Sequence, residues 1–165
     1  MGDTYTELLI KSNASAGAKA LKVFVTILAV IAVALTILTF NVLFFTIAVI
    51  IFVILYFVNK IANVEYEYIQ VNDQLDIDKI FNKISRKKAI TLNLQTVEVV
   101  APLGSHSLDS YQHLKVVDYS ARDPKQKPFV MVCMVGEEMK KVVLQLDQNM
   151  VKSLKSRMPR KVVEY

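Results

Sequence analysis

From Val23 to Val58 the chain runs for 36 residues without a charge. As one α-helix that run would be about 54 Å long. The hydrocarbon core of a bilayer is about 30 Å thick. A single bent span with the following domain outside would therefore need an implausible tilt. Two spans of about 17 to 18 residues fit the same thickness, at about 23–40 and 42–58, with a tight turn in "LTFNV". Asn41 is the one strongly polar residue of the run and sits at its midpoint; asparagine tolerates turn conformations. The run is too long for the core of a signal peptide and ends without a clear small-residue cleavage site, so the spans are read as retained.

The two predicted helices differ in bulk. Ala29, Ala32, Thr36 and Thr39 follow 3-4-3 spacing and lay small residues along one stripe of the first, which lets another helix approach closely in lipid. The second is rich in Phe and Ile, with Tyr56 and Phe57 near its inner end as interfacial aromatics. Lys11, Lys19 and Lys22 flank one end of the hairpin, and Lys60 and later basic residues follow the other. The turn has none, which predicts a multi-pass protein of the inner, cytoplasmic membrane with both termini cytoplasmic. "MGDTYT" matches a myristoylation pattern through Gly2 and Thr6. A chain that already spans the bilayer gains little from one acyl anchor, and the match is set aside.

Residues 1–22 form an N-terminal segment, and 59–165 read as a charged cytosolic domain. "YTELLIKS" carries two signals: Thr4 and Glu7 fit a helical capping box, whereas alternating Thr6, Leu8 and Ile10 fit an edge strand. The strand is the preferred reading. Further strands are predicted at "VEYEYIQV", "LDID", "AITLNL" and "VEVV". "LKVVDYSA" and "FVMVCMV" are expected to pair around "RDPKQKP", with "KKVVLQL" next. Asp147 is an N-cap for a closing helix at about 148–158, with Met150, Val151, Leu154 and Met158 on one face and Pro159 as its stop. The fold class expected is an α+β membrane protein: a transmembrane helical hairpin, then a small antiparallel β barrel or sandwich closed by a C-terminal helix.

Four stretches, "YTELLIK", "EYEYIQVNDQLDIDKIFNKISRKK", "VAPLGSHSLDSY" and "MPRKV", together span nearly the whole chain. On them the protein resembles a family of small bacterial two-helix membrane proteins of unknown function. Its strand order and closing helix resemble pleckstrin-homology-like (PH-like) domains. The resemblance implies that architecture; it brings no catalytic residue, cofactor or partner.

Several residue types invite a chemical reading. "APLGSHSLDSYQH" holds Ser105, His106, Asp109 and His113. Triad members normally come from separate parts of a chain, and no nucleophile elbow is present. His106, Asp109 and His113 could share a helical face as metal ligands, but Gly104 and the serines argue for a turn, and no further ligand completes a shell. The favoured reading is a connector in which Ser105 or Ser107 caps a turn and Leu108 and Tyr111 pack inward. Ser105, His106, Asp109 and Tyr111 are then a partner-contact loop. Lys83, Arg86, Lys87 and Lys88 form a basic cluster that can meet anionic lipid head groups or simply blunt a sheet edge. Glu65, Glu67, Asp76 and Asp78 are expected to face solvent, neutralised by basic neighbours, with Tyr66 and Tyr68 packed on the sheet.

The single cysteine, Cys133, lies in an apolar run and excludes an intramolecular disulfide. The net charge of +5 is modest, and no basic stripe interleaved with aromatics suggests nucleic acid. No catalytic site, metal or cofactor is expected. The function predicted is a non-enzymatic, membrane-anchored binding or scaffold module. Its partners would be the lipid bilayer, with anionic head groups, or a membrane or cytosolic protein. A structural subunit associating through the hairpin is the alternative, and an enzyme using the 105–113 loop a distant one.

Overall fold

The computed structural model describes residues 5–62, 64–81 and 83–163, without the side chains of 61 and 62. Gly2 of the acylation pattern and Thr4 of the capping box lie outside the described residues. The chain divides into two units: a helix pair, Asn13–Val64, and a β-rich unit made of the N-terminal segment and everything after the pair.

In the helix pair, α1 (Ala16–Thr39) opens at Ser15, whose Oγ accepts from the Ala18 N–H at 3.2 Å. It closes at Phe40, left-handed at φ 47°, whose N–H donates to the Thr36 carbonyl at 2.9 Å. Asn41 then starts α2 (Val42–Ala62) by accepting the Leu43 N–H on Oδ1 at 2.8 Å. The turn expected at Asn41 is thus only two residues long, and both helices extend beyond the charge-free run. They take in Lys19, Lys22 and Lys60.

At 24 and 21 residues the helices measure about 36 and 32 Å. Each is long and apolar enough to cross a membrane. Val30, Leu38, Phe45 and Phe52 are among many exposed apolar side chains, a surface that suits hydrocarbon better than water. The buried side chains of the pair are Val25, Ala29 and Ala32 on α1 and Ala48 on α2. Thr36 is half-buried and Thr39 exposed. Their hydroxyls turn back to the Ala32 and Leu35 carbonyls at 2.8 and 2.6 Å, so the predicted stripe ends at Thr36.

The β unit holds two four-stranded sheets. The first has the order β1 (Tyr5–Ser12), β2 (Val64–Val71), β3 (Gln74–Phe81), β4 (Ser85–Asn93). The edge-strand reading of the N-terminal segment is correct: Ile10 and Ser12 are buried, while Tyr5, Glu7, Leu9 and Lys11 face out. β3 and β4 run antiparallel from Gln74↔Asn93 to Phe81↔Ser85, with a bulge at Ile77/Asp78. Ile77 faces Ile90 and Asp78 faces Lys88, so Ala89 is the extra residue. Such a bulge re-aims the side chains beyond it. Here it separates the half of β4 that buries Leu92 from an exposed half, Ser85–Lys88.

The second sheet has the order β5 (Val99–Pro102), β7 (Phe129–Val135), β8 (Glu138–Leu144), β6 (Val116–Asp118). This corrects the expected pairing of "LKVVDYSA" with "FVMVCMV". β7 already has β5 on one side and β8 on the other, so β6 takes the free edge of β8, and in parallel register. The assembly is a sandwich of two sheets rather than a closed barrel, and is not wholly antiparallel.

Leu75, Ile77, Leu92, Val100, Met131, Val132, Val142 and Leu144 fill the core. Helix α3 (Gln148–Arg157) covers it with Met150, Val151 and Leu154. Asp147 caps α3 as expected, accepting the Met150 N–H at 2.8 Å. Beyond the helix, Val162 bridges Val100 in parallel, shielding the outer edge of β5.

Tyr68 couples the sheets. It is fully buried on β2, donates its hydroxyl hydrogen to the Tyr119 carbonyl at 2.7 Å and accepts the Gln145 N–H at 3.2 Å. Burial holds its phenol well above the usual tyrosine range. Ser12 adds a second link from β1, donating to the Ser120 carbonyl at 3.0 Å.

Candidate functional site

The four basic residues singled out in the sequence lie on the β3–β4 hairpin, but the fold treats them differently. Arg86 crosses the sheet to pair with Glu67 on β2 and, through Nε, with Asp78 at 2.8 Å. Lys88 pairs with Asp76 at 3.0 Å, and Asp76 also accepts the Thr91 hydroxyl at 2.6 Å. Glu67, Asp76 and Asp78 are thus neutralised across strands, the ordinary use of opposite charges on one sheet face, although Glu67 is buried rather than facing solvent as expected.

Lys83 and Lys87 have no carboxylate partner among the described residues. Lys83 sits in the turn at φ 60°. Beside it Ile84, closed by its N–H to the Phe81 carbonyl at 3.1 Å, projects with 85% of its surface exposed. Lys87 lies opposite Lys79 in the register. The Lys79 ammonium is itself occupied, 5.9 and 5.3 Å from the Tyr66 and Tyr119 ring centroids. The hairpin tip therefore combines one exposed aliphatic side chain with two unpaired ammonium groups. Sequence reasoning found the lysines; it missed Ile84, because nothing in "NKISRKK" tells a core isoleucine from an exposed one.

The loop of Ser105, His106, Asp109 and Tyr111 is a single 3-10 helix, His106–Tyr111, between β5 and β6. Gly104, at φ 90°, supplies the bend before it. Ser105 caps it, accepting the Ser107 N–H at 3.4 Å. Leu108 is buried, and Tyr111 packs on the cluster of Ala101, Val130 and Val132. His106 Nδ1 lies 3.2 Å from Asp109 Oδ2, but both side chains stand in solvent and no nucleophile joins them. No group of three or more metal-ligating side chains occurs among the described residues.

Cys133 is fully buried on β7, and burial pushes its thiol up to about 11. It is a core side chain. Asp118, at the end of β6, is also perturbed. Burial tends to raise its pKa, but hydrogen bonds from Arg122 and Ser120 outweigh that and hold the carboxyl below its ordinary value. Those bonds, at 2.9 Å from Arg122 Nε and 2.9 and 2.7 Å from the Ser120 N–H and hydroxyl, fix the turn that meets Tyr68 and Ser12. The group is structural.

A family model described as "Bacterial PH-like domain (DUF6106)" matches residues 2–164. No curated protein and no solved structure matches the chain. The match covers nearly the full length, and the chain belongs to that bacterial PH-like family.

Proposed function

We propose that this PH-like chain is a membrane-anchored, non-enzymatic binding module, and that the tip of its β3–β4 hairpin touches the anionic surface of the membrane that holds it. The observation that carries the reading is Ile84, 85% exposed, between Lys83 and Lys87. An apolar side chain beside cations is the composition that enters a lipid interface. Each lysine near an anionic surface contributes about 1 kcal/mol, and a tether converts docking into an intramolecular step at high effective concentration.

The reading places the chain as a multi-pass protein of the cytoplasmic membrane with both termini inside. β1 precedes the helix pair and β2 follows it, yet they are neighbours in one sheet. That supports an even number of crossings between them, and lysines near both ends of the pair support the cytoplasmic side. The alternative, association with other membrane helices through the small-residue stripe, loses its motive because Ala29 and Ala32 are already buried in the helix pair.

The test uses the full chain in nanodiscs, with a polarity-sensitive fluorophore on Ser85→Cys in a Cys133→Ala background. Discs of phosphatidylcholine are compared with discs containing phosphatidylglycerol. Docking gives a blue shift that needs the anionic lipid and fades with salt. Lys83→Ala with Lys87→Ala removes about 2 kcal/mol, a roughly 30-fold change in the docked-to-free ratio. Emission indifferent to lipid charge and to both lysines overturns the proposal.

A further inference from the structure

The opposite end of β3 carries a second cationic feature. A cleft of about 300 Å³ opens between the β2–β3 turn, the 3-10 turn after β4 and the segment leaving α3. Its ionisable lining is Asp73, Arg157, Arg160 and Lys161, three cations against one carboxylate. Leu94 and Met158, both buried, supply an apolar wall.

Two of the cations are held in place by the fold. Arg157 donates from Nη2 to Asn72 Oδ1 at 2.9 Å, and its Nη1 lies 3.9 Å from Asp73. Asp73 also accepts from Gln95 Nε2 at 3.1 Å, so the one negative charge is already shared. Lys161 donates from Nζ to the carbonyls of Gln95 and Val97. These bonds fix both cations: Asp73 offsets part of the Arg157 charge, whereas the neutral carbonyls leave that of Lys161 whole, and both keep spare donors, since an ammonium has three and a guanidinium five. Arg160 is exposed and makes no ion pair or hydrogen bond among the described residues.

Cations at a helix C-terminus complement its dipole. That accounts for Arg157 in the last turn, but not for Arg160 and Lys161 converging beyond it on a concave, partly apolar site. Like charge lining a cleft with low-dielectric walls concentrates anions there.

We infer that this cleft binds a phosphate monoester, with Arg160 as the fork that grips its oxygens, Lys161 and Arg157 completing the charge, and Leu94 and Met158 against the organic part. Arg160 is the specificity residue because a planar guanidinium engages two phosphate oxygens at once, which lysine cannot do. The eight residues of β3 separate the cleft from the hairpin tip by about 25 Å. A domain resting on a membrane by that tip would hold the cleft away from the head groups, so a soluble phosphate is the expected source.

The experiment follows alkylation of buried Cys133 in the full chain in neutral detergent, since a ligand that binds only the folded state slows exposure of the thiol. The probes are inorganic phosphate, glycerol 3-phosphate and chloride at matched ionic strength, with discs containing phosphatidic acid as the lipid arm. With a Kd near 1 mM, 10 mM probe slows alkylation about tenfold. The expected result is protection by both soluble phosphates, none by chloride, loss in Arg160→Ala and partial loss in Arg160→Lys. Protection should persist in Lys83→Ala with Lys87→Ala, which separates the cleft from the hairpin tip. Protection by phosphatidic acid alone, if it depends on Arg160, keeps the site and assigns a lipid source. Equal protection in Arg160→Ala, or by matched chloride, overturns the inference.

Discussion

Tyr68→Phe removes one oxygen from the core and with it one of the two buried hydrogen-bonded links between the sheets, leaving that of Ser12. The ring stays, so no sizeable cavity opens. What changes is that the Tyr119 carbonyl and the Gln145 N–H lose their 2.7 and 3.2 Å partner in a fully buried setting. Each bond contributes about 0.5–1.5 kcal/mol net, and a stranded buried group costs about 1–3 kcal/mol. Together these give roughly 3 kcal/mol of destabilisation. Cys133 makes the measurement direct: it is the only thiol, fully buried. When the domain recloses faster than it is alkylated, the labelling rate follows the open population. A loss of about 3 kcal/mol then accelerates labelling about 150-fold. Tyr66→Phe is the matched control. Its ring packs edge-on against Tyr119 at 5.6 Å, but its hydroxyl has no hydrogen-bond partner among the described residues. It should change the rate no more than about twofold, since substitutions away from bonded or cavity-forming sites cost under about 0.5 kcal/mol. If Tyr68→Phe labels within twofold of the parent, the hydroxyl does not join the sheets and the argument fails.

Gln70 lies on the same face of β2 as Tyr68, fully buried, and neither amide atom finds a partner among the described residues. Gln70→Met keeps the length and drops the polarity, so it should stabilise the domain by about 1–3 kcal/mol; slower Cys133 labelling is the expected readout, and faster labelling contradicts it. Asp118 has a folded pKa below its ordinary 3.8, so its contribution is fully present above that value and is lost as pH falls through the folded value. Asp118→Asn should flatten this acid limb of the stability profile, and an unchanged limb argues against the role. Asp147→Ala removes the α3 cap and should cost about 1 kcal/mol, with amide exchange in the first turn of α3 accelerating about fivefold. Unchanged exchange there would mean that packing alone holds the helix.

Features that depend on local period were legible in the sequence. The alternation of Thr6, Leu8 and Ile10 gave β1, the charge-free run gave the helix pair, and Asp147 with the Met150–Leu154 face gave α3. Pairings between distant segments were not. β6 is three residues long, and its parallel position beside β8 follows from which edges β5 and β7 leave open. The same limit applied to charge. Lys83, Arg86, Lys87 and Lys88 look equivalent in sequence, yet the bulge at Ala89 and the carboxylates of β2 and β3 occupy Arg86 and Lys88 and leave the other two. Thr39 continued the small stripe by spacing but faces outward, while Ala48 on α2, which no stripe marked, is buried. The cationic cleft escaped notice because Asp73, Gln95 and Arg160 come from three separate segments.

The position of β1 ahead of the helix pair carries a consequence for biosynthesis. At about 5–20 residues per second, roughly 3 to 10 s pass between the synthesis of β1 and that of β2, while both apolar helices emerge. The strand made first must wait near the ribosome, short and unpaired, for the sheet it will border. A fragment begun at β2 would never receive it, and would present that strand's backbone as an open edge of the kind that recruits other chains. A soluble version of the domain therefore needs residues 5–12 rejoined to residue 64, and a bulky tag fused ahead of Tyr5 would burden the element that waits longest to fold.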